Sequence, residues 1–277
     1  RAILLYPDGR WIYVDRLAMP ATPQEVTGGT LGPHYAKTSK RARLGVRVIS
    51  DRRNAITDDK RWFTSHGFHL PTCVLPTKNH TGTCPSGLPV SYRQGALRGA
   101  IRDQTGYVLL YAGRTRWRDA RYVAMTDATV SRVTHLFDMA SLMKLPGLSV
   151  GAAQIQGVNW AVREGDVLYL STGYNGYAKA SRGHNAYLNA VHIPSGKLIW
   201  RSKPLVCNAK NFLVVGDAII CGYGFTAEPD FLYALDKRSG RTILKRRVAS
   251  GPDYLFMKGG KLYVRTYNHD YVFALKR

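Results

Sequence analysis

Three stretches of the sequence gather side chains that could do chemistry. The segment Ser171-Thr-Gly-Tyr-Asn-Gly-Tyr-Ala-Lys-Ala-Ser-Arg-Gly-His-Asn185 places Tyr174, Tyr177, Lys179, Arg182 and His184 in one polar run. Residues 222–230 add Tyr223 and Phe225, and residues 266–270 add Tyr267 and His269. Aromatic faces interleaved with cations suit a ligand that offers flat rings and anionic groups, since rings stack while cations hold charge. The same residue types also suit eliminative cleavage of a uronic-acid glycan, which needs a proton-transfer group and a cation to neutralise the carboxylate. Tyr174 or His184 would move the proton and Arg182 would bind the carboxylate. Against that polysaccharide-lyase reading, a chain with 17 tyrosines brings several beside His and Arg through packing alone.

The four cysteines admit two readings. Cys73 and Cys84 bracket a polar loop, and Cys207 and Cys221 bracket a strand, a Gly216-Asp217 turn and another strand. Local disulfides in both pairs would mark an oxidising, periplasmic or extracellular compartment. Alternatively His66 and His69 with Cys73 and Cys84 make a two-imidazole, two-thiolate set adequate for tetrahedral zinc, although the spacing fits no common zinc-finger pattern. The expectation is two disulfides and no metal site. There is no Gly-x-Ser-x-Gly elbow, Walker loop, Cys-x-x-Cys-His site or His-Glu-x-x-His helix, so the chain leans towards a non-enzymatic role.

Charge narrows the partner. The 277 residues carry 40 Lys+Arg against 18 Asp+Glu, a net +22, and residues 1–138 and 139–277 contribute +11 each. The densest basic runs, Lys40-Arg41-Ala42-Arg43, Arg114-Thr-Arg-Trp-Arg118 and Lys245-Arg246-Arg247, are short, so the excess belongs to a folded surface and not to a tail. Such a surface attracts an acidic protein or an anionic polysaccharide; nucleic acid would bind too, but is not favoured for an exported protein. Arg outnumbers Lys 26 to 14, which suits bidentate recognition of carboxylate, sulfate or phosphate. No run of about 18 apolar residues occurs, so no membrane-spanning helix is expected. No secretory cleavage pattern stands at the start, so the compartment is inferred from the cysteines alone.

The elements that must position these residues are strands. Helical periodicity is nearly absent, and short runs of strand formers such as Trp11–Val14, Tyr107–Tyr111, Val167–Leu170 and Lys261–Val264 are separated by Asp-Gly, Gly-Asp, Ser-Gly and Gly-Gly turns. Leu188-Asn-Ala-Val-His-Ile-Pro-Ser-Gly-Lys-Leu-Ile-Trp200 aligns without gaps on Leu232-Tyr-Ala-Leu-Asp-Lys-Arg-Ser-Gly-Arg-Thr-Ile-Leu244, and a third copy starts at Tyr271. A matching strand precedes each, at Gly165, Gly216 and Gly260, and a fainter copy lies within residues 103–150.

A repeat of about 44 residues built on Leu-Tyr-Ala-Leu-Asp-x-x-Ser-Gly-Arg/Lys resembles the blades of PQQ-like (WD40-like) β-propellers, which include outer-membrane assembly lipoproteins and quinoprotein dehydrogenases. The resemblance implies an all-β fold with a single propeller of four-stranded blades over residues 1–277. Dividing length by period gives six blades, with five or seven as alternatives because residues 17–43 and 66–93 read as insertions. The last copy lacks its fourth strand, and Arg1-Ala-Ile-Leu-Leu-Tyr-Pro7 is the expected closing strand. The quinone cofactor of the dehydrogenases is not expected here, since this chain has no adjacent cysteines and few acids; no cofactor is expected. Propeller lyases are usually longer than this chain. The expected function is an exported binding scaffold that engages an acidic partner, with the polysaccharide lyase as the alternative.

Overall fold

The computed structural model describes residues 2–5, 11–14, 17–27, 42–74, 83–112, 120–145, 155–174 and 176–276. In chain order they form β1 (Ala2–Leu5), β2 (Trp11–Val14), β3 (Gln24–Glu25), β4 (Gly45–Arg53), α1 (Asp59–His66), β5 (Thr72–Val74), β6 (Ser91–Tyr92), β7 (Gly95–Asp103), β8 (Gly106–Tyr111), β9 (Tyr122–Thr126) and β10 (Val133–Asp138). There follow α2 (Ala140–Met143), β11 (Gly157–Glu164), β12 (Val167–Gly173), β13 (Tyr187–His192), β14 (Lys197–Arg201), β15 (Leu213–Val215), β16 (Ala218–Phe225), β17 (Glu228–Asp236), β18 (Thr242–Arg247), β19 (Pro252–Lys258), β20 (Lys261–Thr266) and β21 (His269–Lys276).

The fold is mostly β, and its strands form four sheets of four or more strands. Sheet I runs β3-β10-β9-β8-β7-β5 with β6 on β7, sheet II β11-β12-β13-β14, sheet III β15-β16-β17-β18 and sheet IV β19-β20-β21-β4. The repeat seen in the sequence maps onto sheets II to IV. Their first hairpins turn at Gly165, Gly216 and Gly260, each in the left-handed region that glycine adopts without strain. Four such sheets are present among the described residues, against the six expected from length and period. The described parts of residues 54–94 are spent on α1, β5 and β6 and do not form a sheet of their own.

The closing strand differs from expectation. Ala2–Leu5 does not complete sheet IV; it pairs antiparallel with Trp11–Val14. The fourth strand of sheet IV is β4, which runs beside β21 from Gly45↔Lys276 to His269↔Arg53. The physical reason is length and locality. Pro7-Asp8-Gly9 between two apolar runs is a hairpin sequence, whereas β4 offers nine residues with Val46 and Val48 packed against the core, enough to match all of β21. Sheet IV is thus built from an early strand and the last three.

Middle strands are buried along consecutive residues: all of Gly106–Tyr111, and Leu168–Gly173 and Tyr187–Val191 in sheet II. A strand buried on both faces has a neighbour on each side, so the sheets stack face to face. Ties cross the junctions I–II, II–III and III–IV. Val158 N donates to Ala120 O at 2.8 Å and Arg163 pairs with Asp103 at 2.8 Å between sheets I and II. Trp200 Nε1 donates to Lys237 O at 3.1 Å between II and III. Asn211, 2% exposed, donates to Leu255 O at 2.8 Å and accepts from Leu255 N at 2.9 Å between III and IV.

Helix α1 packs on sheet IV. Asp58 caps its first turn by accepting from Arg61 N at 2.8 Å, and Gly67 ends it in the left-handed region. Its buried Trp62 and Phe63 lie against Phe256 and Tyr254 of sheet IV. The buried Arg265 guanidinium ties the segment down, donating to Asp59 Oδ1 at 2.7 Å and to Ile56 O at 2.7 Å. Residues 101–103 of β7, 160–163 of β11, 211–214 at β15 and 255–257 of β19 then line one cavity of about 250 Å³. Strand β7 of sheet I and the first strands of sheets II to IV face the same space.

Asn211→Ala removes both inter-sheet hydrogen bonds and leaves the buried Leu255 peptide groups unpaired, which costs about 2–4 kcal/mol. Chemical denaturation should show a lower midpoint at unchanged slope; wild-type stability in the variant would contradict this role for Asn211.

Candidate functional site

The inner strands open at one end into a second cavity of about 690 Å³. Its wall is set by backbone register. In β7 the pairing with β8 shifts between Leu97 and Gly99, in β11 between Val158 and Trp160, and in β19 between Pro252 and Tyr254. Each shift is a bulge that leaves one residue unpaired and re-aims its side chain. Those residues are Arg98, Asn159 and Asp253, and all three line the cavity. In sheet III the equivalent residue is Lys210, just ahead of β15, which lines it too.

Lys210 Nζ lies 3.2 Å from Asp253 and 3.7 Å from Asp59, and 4.7 Å from the centre of the Tyr254 ring. Burial disfavours its charge, but Asp253, Tyr254 and Asp59 outweigh burial and raise its pKa. Burial raises the pKa of Asp253, against the opposing pull of Lys210. Asp230 sits beside Gly224, where a Cβ would overlap its carboxylate, and glycine is required there. Burial raises the Asp230 pKa as well, and its Oδ1 is buried with no hydrogen-bond partner. Asn208 fixes this wall by donating to Gly224 O at 2.9 Å and accepting from Gly224 N at 3.1 Å.

The structure brings together part of the set singled out in the sequence. Tyr174, Phe225 and Tyr267, from sheets II, III and IV, all line the cavity. Tyr267 is 75% exposed at its rim. Tyr177, Lys179, Arg182, His184, Tyr223 and His269 do not line it. Tyr177 packs on Phe225 at 5.1 Å between ring centres and its hydroxyl lies 3.0 Å from Thr226 Oγ1. Lys179 and Arg182 are exposed on the loop, Arg182 in the left-handed region at φ 51. Asn175 lies outside the described residues.

The groups of the lyase reading are occupied separately: the Tyr174 hydroxyl donates to Tyr177 O at 2.7 Å, and His184 Nδ1 lies 3.2 Å from the Tyr187 hydroxyl. Burial, then Glu228, raises the Tyr174 pKa. His269 Nδ1 is 2.8 Å from Asp51.

Sequence reasoning missed Glu228, which organises the loop. It accepts from the Tyr223 hydroxyl and from Ala178 N at 2.6 Å, joining sheet III to the 3₁₀ turn Ala178–Ser181. Asn185 completes the clamp, accepting from Tyr174 N at 3.0 Å and donating to Gly176 O at 3.0 Å. Arg98, Asn159 and Asp253 were missed because the bulge that aims each of them exists only once the strands have paired, and Lys210 because it lies ahead of its strand and meets Asp253 only across two sheets.

Both expected disulfides are present, Cys73–Cys84 and Cys207–Cys221. The zinc reading therefore loses its two thiolates, and His66 Nδ1 instead lies 2.9 Å from Trp62 O. Among the described residues no cluster of three or more His, Cys, Asp or Glu side chains could hold a metal ion.

No family profile and no curated protein matches the sequence. Solved structures do. BamB from Moraxella catarrhalis is 15% identical with a TM-score of 0.41, over 68% of this chain and 49% of BamB, about half its length. The computationally designed Ika4 protein is 9% identical with a TM-score of 0.42, over 66% of this chain and 94% of Ika4. A europium-containing methanol dehydrogenase is 9% identical with a TM-score of 0.40, over 65% of this chain and 42% of the enzyme.

Two outcomes follow. Denatured protein should titrate no free thiols until reductant is added and four afterwards; thiols without reductant would contradict the disulfides. Glu228→Ala removes a charged acceptor and should cost the loop about 2 kcal/mol, so trypsin should cut after Lys179 and Arg182 at least about tenfold faster. Equal cleavage rates would show that Glu228 does not hold the loop.

Proposed function

We propose that the chain is an exported, non-enzymatic β-propeller whose outer edge docks an acidic partner, a protein or an anionic polysaccharide. Four sheets stacked face to face, first strands turned to one axis and a 44-residue sequence repeat support the propeller. The two disulfides support an oxidising compartment outside the cytoplasm.

The observation that carries the binding reading is a cleft of about 620 Å³ at the perimeter, where the edges of sheets III and IV meet. Arg43 and Lys276 line it on the sheet IV side, and Arg241 and Asp236 on the sheet III side. Asp236 does not neutralise these cations through an ion pair. Its carboxylate accepts from Arg238 N at 3.0 Å, Ser239 N at 2.9 Å and Ala42 N at 3.3 Å. Burial raises its pKa, but these bonds and the Ser239 hydroxyl prevail and lower it. Arg43, Arg241 and Lys276 are exposed and form no ion pair with a described carboxylate.

The strands beside the cleft extend the positive surface. β18 exposes Lys245, Arg246 and Arg247 and contains no acid, and β4 exposes Arg47, Arg52 and Arg53 against Asp51, which is engaged by His269. Lys40, Arg41 and residues 114–118, basic in the sequence, lie outside the described residues. Positive charge on edge strands also discourages edge-to-edge aggregation. That role alone would not require cations around the cleft.

The test is binding of heparin and of poly-aspartate as a function of salt. Affinity should fall steeply with ionic strength, and Arg43→Glu/Arg241→Glu/Arg246→Glu should weaken binding at least about tenfold with a shallower salt slope. Affinity that ignores salt, or a variant that binds like wild type, would overturn the reading.

A further inference from the structure

The axial cavity differs in character from the perimeter. Four sheets contribute the same register position to its wall. Asp103, Glu164, Val215 and Lys258 are the last residues paired across the first hairpins, with Gly106, Val167, Ala218 and Lys261. Counting back five residues from each gives Arg98, Asn159, Lys210 and Asp253. The backbone repeats while the side chains diverge into a guanidinium, an amide, an ammonium and a carboxylate. Packing alone does not ask for four polar groups of different chemistry at one depth.

The charges at this site cancel. The cavity is lined by two cations, Arg98 and Lys210, and two carboxylates, Asp230 and Asp253, in a chain of net +22. Lys210 is already engaged by Asp253 and Asp59. An anionic ligand would therefore meet both carboxylates with the Lys210 ammonium already committed and the Arg98 guanidinium as the other cation in the wall, which disfavours the polyanions that the perimeter attracts.

What the wall lacks is a hydrogen-bond donor for Asp230 Oδ1, buried and without a partner. What it offers in addition is the Asn159 amide and three aromatic faces, Tyr174, Phe225 and Tyr267, from three different sheets. Tyr267 at 75% exposure is a large apolar ring left in water. A ligand that fits brings hydroxyl donors and acceptors on an uncharged frame with apolar faces, and the volume of about 690 Å³ lies within the ordinary range for small-ligand sites.

We infer that the axial cavity binds an uncharged oligosaccharide, with the pyranose faces on Tyr267 and Phe225 and sugar hydroxyls donating to Asp230. This site is separate from the perimeter cleft, and its ligand is of a different class.

Isothermal titration with cellotriose, maltotriose and chitotriose, with trigalacturonate as the charged control, tests it at about 0.05 and 0.5 M NaCl. At least one neutral trisaccharide should bind, with affinity unchanged by salt to within about twofold. Tyr267→Ala, at an exposed position that folding does not need, and Asp230→Ala should each weaken it about tenfold. Arg246→Glu, on the outer edge, should leave it unchanged while weakening heparin binding. Absence of binding by all three neutral sugars, or tighter and salt-sensitive binding of trigalacturonate, would overturn the inference. Either result leaves the perimeter reading to its own heparin test.

Discussion

Each sheet presents two apolar faces and cannot bury both by itself. Everything else in the molecule follows from how that constraint is met. Leu168, Leu170, Leu188 and Ala190 of sheet II and Ile219, Ile220, Leu232 and Ala234 of sheet III are wholly excluded from water, so every sheet needs a neighbour on each side. Strands β7, β11, β15 and β19 line shared cavities, while β4 and β18 lie at the edges of sheets IV and III. Edge strands β4 and β18 carry exposed cations, whereas the buried Arg265 is held by Asp59 and Asp270.

The bulges refine that geometry. A regular first strand would alternate its side chains between the two neighbouring sheets. One extra residue turns Arg98, Asn159 and Asp253 out of that alternation and towards the axis. Lys210 reaches the same place while its backbone N–H bonds Asp253 O at 2.8 Å, so adjacent sheets are joined where their polar groups converge. Stability and site share the same residues here: Asn211, next to Lys210, forms the amide bridge to Leu255 that locks sheet III to sheet IV.

Much of the architecture was legible in the sequence. The gapless match of residues 188–200 on 232–244 gave β13–β14 and β17–β18, and the turn glycines gave the hairpins between first and second strands. Cysteine spacing gave both disulfides. The closing strand was misplaced because Ala2–Leu5 is a short apolar run like the fourth strands of the repeat, whereas β4 is longer and carries Arg47, Asp51, Arg52 and Arg53, and only competition for β21 distinguishes them. Helix α1 was passed over because Trp62 and Phe63 are adjacent and make no 3.6-residue stripe, although Asp58 and Gly67 stand where start and stop signals belong. Of the residues that the tyrosine-rich loops brought forward, Tyr174, Phe225 and Tyr267 line the larger cavity. Glu228 stayed hidden because its bond to Ala178 spans 50 residues, and the inner-strand residues because strand pairing aims them.

The central claim is that anions are received on the outer strands while the axis is reserved for other chemistry. Hydrogen-exchange mass spectrometry of the whole chain with and without saturating heparin tests it in one experiment, because amide protection reports position along every strand. Protection should rise in Gly45–Arg53 and Thr242–Arg247 and stay unchanged around residues 98, 159, 210 and 253. Protection centred on those four residues, with the outer strands unaffected, would contradict the account.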